Sequence, residues 1–104
     1  MHDDQVSAEE ARMYLKDVEP MWRAFWLHMH LVARNLEEFA DGIGRISDDV
    51  FAYHVSGQKN DFAKWVQEVI GDSALARSLA GVSTKEDAAR IVGERVDVLK
   101  RAAA

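Results

Sequence analysis

A chain of 104 residues with 13 Lys and Arg against 18 Asp and Glu, a net charge of −5, makes one domain, because two separate cores would not fit. Even the most basic stretch, 84–104, carries only 5 basic against 4 acidic residues, and no Lys/Arg cluster tracks one face, so nucleic acid and anionic membrane surfaces are excluded as expected partners. The lack of cysteine removes disulfide scaffolds, thiolate metal sites and thiol nucleophiles and fits a cytoplasmic setting, and no apolar run of about 18 residues offers a membrane span.

The opening Met1-His-Asp-Asp4 has neither the basic nor the apolar region of a signal peptide. Ser7-Ala-Glu-Glu10 is a capping box, so a helix is expected from about Ala8, with Ala11, Tyr14, Leu15 and Val18 on its apolar face. Pro20, the only proline, breaks the chain near Val18–Glu19. From there the pattern admits two readings. Trp22, Phe25, Trp26, Met29, Val32, Ala33, Leu36, Phe39, Ala40 and Ile43 follow helical steps, while Phe25, Leu27, Met29 and Leu31 alternate with Trp26, His28 and His30 as a strand would. The longer stripe predicts one helix from about Pro20 to Asp41, ended at Gly42 or Gly44. The alternative is a β-hairpin at about 24–33.

Beyond Ile46, Ser47 or Asp48 caps a short helix carrying Val50, Phe51 and His54, and Ser56–Lys59 reads as a loop. Asn60 or Asp61 caps a helix with Phe62, Trp65, Val66, Val69 and Ile70 inward and Gly71 as its stop. Asp72 caps a two-turn helix ending near Gly81. Ser83-Thr-Lys-Glu86 opens a last helix with Ala88, Val92, Val96 and Leu99 on one stripe. Ala102–Ala104 is either its native end or a cloning scar and is given no weight.

The fold class expected is therefore all-α, a single domain of five or six helices packed round Trp65, Phe62, Val69, Leu36, Phe39, Leu79, Val92 and Val96, with the α+β arrangement as its alternative.

Phe51-Ala-Tyr-His54 and Asn60-Asp-Phe-Ala-Lys-Trp65 concentrate the chemistry. The pattern F-x-x-H…N-D-F-x-x-W resembles that of a small domain family of unknown function, widespread in archaea and bacteria. The resemblance runs from about Phe25 to the final helix and implies no reaction. In that family an Asp-Gly turn stands where this chain has Met29-His30, which implies a short hairpin there. Met29-His30 lacks the positive-φ preference such a turn needs.

Read from the residues, His54 and Asp61 are the orienting half of a general-base site, with Asn60 beside them and Trp65 as a wall, and all four are candidate ligand-binding residues. In the plainer reading Asn60 and Asp61 cap a helix and His54 satisfies a buried carbonyl. No serine stands in a nucleophile turn such as G-x-S-x-G, so no catalytic residue and no cofactor is expected. His28 and His30 would share one face of a strand but lie roughly 160° apart on a helix, where they cannot chelate one ion, so no metal is expected. Trp22, Phe25, Trp26 and Met29 are either core or an interface that pairs two copies or docks another protein. The function expected is a non-enzymatic protein-interaction or self-association module, with a small-ligand or metal-binding domain centred on His54 and Asp61 as the alternative.

Overall fold

The computed structural model describes residues 6–104, which form six α-helices and two short antiparallel hairpins. Helix α1 (Ala8–Leu15) starts at its capping box: Glu10 N donates to Ser7 Oγ at 3.0 Å, and Ser7 N donates to Glu10 Oε1 at 3.2 Å. After the cis Glu19–Pro20 bond comes a single 3₁₀ turn, Met21–Arg23.

The long helix expected over 20–41 is absent. In its place β1 (Phe25–His28) and β2 (Leu31–Ala33) pair antiparallel, Phe25 opposite Ala33, Trp26 opposite Val32 and His28 opposite Leu31. The all-α expectation is thereby corrected to a mostly helical fold with a hairpin, the alternative reading. The physical reason is that two elements in series had mimicked one stripe. Leu36, Phe39, Ala40 and Ile43 do sit on a helix, α2 (Leu36–Arg45). Ahead of them the strand period decides, with Phe25 and Leu27 buried and Trp26 and His28 exposed. Between the two, Asn35 is extended (φ −152°, ψ 174°) and accepts from Glu38 N at 2.8 Å, so it caps α2 and cannot continue a helix through itself. The hairpin closes through Met29-His30, with Met29 at φ +27° in a place glycine would fill without strain.

Neither Gly42 nor Gly44 ends α2. Gly42 is buried within it, and a Cβ there would overlap Leu27 Cδ1, so the missing side chain lets the hairpin lie close against the helix. At the β2–α2 junction Arg34 binds Glu38 through both its backbone N–H and its guanidinium, and these hydrogen bonds hold the Glu38 carboxyl below the usual carboxylate range.

Helix α3 (Asp48–His54) is capped by Ser47. The segment after it, expected as a loop, is a two-residue hairpin of β3 (Val55–Ser56) and β4 (Lys59–Asn60) turning at Gly57, φ +58°. Helix α4 (Asp61–Trp65) runs into a π-helical turn, Val66–Ile70, that stops at Gly71 with φ +90°. Asp72 caps α5 (Ser73–Leu79). For α6 (Lys85–Ala103) the cap is Thr84, one residue past the expected Ser83, with Asp87 N donating to Thr84 Oγ1 at 3.1 Å.

Helices α2 and α6 make the most extensive packing, with α1 against α6 and the first hairpin against α2. The expected core residues are buried, apart from Val69, which packs partly exposed against the core. One buried charge pair had no signal in the spacing: Arg95 reaches from α6 with Nε 2.7 Å from Asp72 Oδ2 and Nη2 2.9 Å from Oδ1. Asp72 thus caps α5 and receives a two-pronged guanidinium at once, which leaves neither charge unpaired. Among the described residues no helix is long and apolar enough to cross a membrane.

Candidate functional site

The last turn of α3 supplies His54 and the first turn of α4 supplies Asp61. The tight β3–β4 hairpin between them folds the chain back so that the two meet, His54 Nδ1 lying 3.0 Å from Asp61 Oδ2. On its other side His54 Nε2 donates to the Leu27 carbonyl at 2.9 Å. That carbonyl can only accept, so the ring donates to it from Nε2, and Nδ1 is held against the Asp61 carboxylate. The ring is 6% exposed and wedged among aromatics, with centroids 5.0 Å from Phe25 and 5.6 Å from Phe62. Both nitrogens are spent inside the protein. Neither lone pair is free to take a proton from a substrate or to ligate an ion.

The other candidates in this constellation are engaged in the same way. Asn60 Oδ1 accepts from Ala63 N at 3.0 Å, and its Nδ2 donates to the Leu79 carbonyl at 2.8 Å. Trp65 Nε1 donates to the Arg23 carbonyl at 2.7 Å, and its ring lies 4.9 Å from Phe39. Asp61 is partly open, and Lys59 Nζ stands 3.6 Å from its Oδ2 while donating to the Tyr53 carbonyl at 2.7 Å. The structure brings His54, Asn60, Asp61 and Trp65 together around α3 and α4, and three of them each tie a distant backbone carbonyl to that centre: Leu27 of the hairpin, Arg23 of the 3₁₀ turn and Leu79 of α5. Such links orient elements that have few contacts of their own.

The four interface candidates separate. Phe25 goes to the core at 7% exposure, because the strand period turns it inward, and it does not belong to an accessible face. Trp22, Trp26 and Met29 stand out at 77%, 56% and 72%. Tyr53, 69% exposed, lies across a cavity from Trp26 without having been singled out in the sequence. Its signal was there: it lies between buried Phe51 and buried His54 on a helix, and so on the outer side. Trp26 and Tyr53 border one cavity of about 400 Å³ between β1 and α3, together with Leu27, His28, Asp49, Val50 and His54. His28 and Val50 also border a second hollow, of about 570 Å³, shared with His30 and Arg45. Among the described residues no three His, Asp or Glu side chains gather as a metal site.

The model of one family, DUF5752, described as a family of unknown function, matches residues 26–101. The match begins on β1 and takes in both hairpins and nearly all of α6, leaving α1 and the 3₁₀ turn outside it. No curated protein and no solved structure matches the chain.

Proposed function

The chain belongs to DUF5752, a family of unknown function, and from its geometry we propose that it is a non-enzymatic protein-interaction module whose contact face includes Trp22, Trp26, Met29 and Tyr53. One observation carries this reading: among the described residues six large apolar side chains, these four with Met13 and Met21, are each more than half exposed, while all four phenylalanines and Trp65 are buried. Trp, Tyr and Met are the residue types enriched at interfaces, where they bury much area with little ordering cost. The partner is another protein or a second copy, two-fold dimers being the commonest oligomer. On this reading the Phe51, His54, Asn60, Asp61, Phe62 and Trp65 pattern maintains the scaffold that presents the face. Its internally spent polar atoms support that role over a ligand site. A cytoplasmic setting belongs to the same reading and is supported by the absence of cysteine.

The test pairs sedimentation at micromolar concentration with affinity capture, comparing the wild type with a Trp22→Ser/Trp26→Ser double variant of unchanged circular dichroism. The expected result is a dimer or a captured partner that the double variant loses. A wild type that stays monomeric and captures nothing, or a partner held equally by both proteins, would overturn the reading.

A further inference from the structure

Within the exposed face, the cavity of about 400 Å³ between β1 and α3 is the part with a defined shape. Trp26 occupies an outward position of β1 and forms one wall. Tyr53 forms the other, and Asp49 precedes it by four residues on α3, so the phenol ring and the carboxylate leave the same side of the helix. Leu27 and Val50 line the space between them. Two aromatic rings and one carboxylate thus border a small, largely apolar hollow whose lining also includes His28 and His54, the latter with both ring nitrogens already engaged inside the protein.

Aromatic faces and a carboxylate attract the same kind of group, an organic cation, and an apolar surround strengthens both attractions by thinning the water around them. One further observation agrees. The whole chain carries a net charge of −5, a field that draws cationic partners and slows anionic ones. Resting on the interaction reading above, we propose that this cavity receives an arginine side chain of a partner polypeptide. A guanidinium fits better than an ammonium because its plane stacks on an indole while its edge pairs with a carboxylate, and because it gives up its hydration more easily.

The full chain is titrated with acetyl-Gly-Arg-Gly-amide, with the same peptide carrying citrulline as a neutral isostere, and with its leucine counterpart, reading the Trp26 indole N–H by heteronuclear NMR. The expected result is a saturable shift with the arginine peptide and affinities at least about tenfold weaker for the other two. Asp49→Asn and Tyr53→Leu, both at exposed positions and checked for unchanged melting, should each weaken the arginine peptide about tenfold or more. Equal binding of the citrulline peptide would overturn the role of charge. Equal binding of the leucine peptide, or no shift at all, would overturn the pocket. A partner lost by Trp22→Ser/Trp26→Ser yet retained by Asp49→Asn would sink the arginine proposal while leaving the interaction module standing.

Discussion

Phe25 and Trp26 are neighbours in the chain and lie on opposite sides of one strand. Phe25 sits inside, its ring centroid 5.2 Å from Phe39, 5.4 Å from Phe62 and 5.6 Å from Trp65, while Trp26 is more than half exposed. By composition the two residues are equivalent, large aromatics in a small protein. What separates them is the two-residue period of β1, which sends successive side chains to opposite faces. Plentiful aromatics in a short chain are therefore no measure of a large core. Five of the nine aromatics, the four phenylalanines and Trp65, build the core, while Trp22, Trp26 and Tyr53 are left for solvent or a partner.

The most direct way to break that contrast is to truncate the inner residue. Phe25→Ala should cost about 3–5 kcal/mol in urea denaturation, since it removes a buried ring that packs against four others, Phe39, His54, Phe62 and Trp65, and leaves a void that the hairpin cannot easily collapse into. A loss below roughly 1 kcal/mol would mean that Phe25 is not part of the core. The next effect in size concerns the link that holds β1 in place. His54→Ala removes the donor to the Leu27 carbonyl and the partner of Asp61, and should cost roughly 1–3 kcal/mol. Because His54 pins the hairpin in particular, amide exchange on β1 and β2 should accelerate more than exchange in α6. Uniform acceleration would show that His54 supports the whole domain and not the strand that divides Phe25 from Trp26.

Much of this arrangement was legible in the chain, because local chemistry set it. Ser7, Ser47, Asn60 and Asp72 each accept from a backbone N–H three residues on, and Gly71 stops its helix with positive φ, as side-chain type alone predicts. Three features were hidden because their causes are not local. The glycine at 42 reads as a helix stop, but its reason is Leu27, fifteen residues earlier, pressing on the helix. Arg95 carries no signal in the spacing, because its partner Asp72 lies 23 positions away. The hairpin was masked because Met29-His30 carries none of the usual turn chemistry, and because the apolar positions of β1 fell in step with those of α2. At the candidate site, the sequence placed His54, Asn60, Asp61 and Trp65 within reach of one another. The plainer reading, with His54 on a buried carbonyl and Asn60 as a helix cap, matches what the structure shows, but the identities of the carbonyls at Leu27, Leu79 and Arg23 were not legible because they lie 27, 19 and 42 positions from their donors.

That unusual turn offers a smaller change of the opposite sign. Met29 adopts φ +27°, where a Cβ is strained, and its side chain is 72% exposed, so little packing is at stake. Met29→Gly should leave the register of β1 intact and raise stability by about 0.4–1 kcal/mol if relief of strain exceeds the extra freedom glycine brings to the unfolded chain. Destabilisation by more than about 0.5 kcal/mol would show that the Met29 side chain contributes contacts that its exposure conceals.

The smallest expected effect is the one that sharpens the comparison most. Trp26 faces Val32 across the strands, and a cross-strand aromatic pair is worth roughly 0.2–1 kcal/mol. Trp26→Ala should therefore cost less than about 1 kcal/mol in the same urea experiment that charges Phe25→Ala several times as much. Fluorescence gives an independent reading, because the three tryptophans divide by exposure: Trp22 and Trp26 lie open, while Trp65 is 8% exposed and hydrogen-bonded to Arg23. Iodide should quench the open pair, and a Trp22→Ala/Trp26→Ala protein should keep a blue-shifted, poorly quenched emission from Trp65 alone. If Trp26→Ala instead costs as much as Phe25→Ala, both faces of β1 are structural, and the outward aromatic has been given to stability and not to a partner.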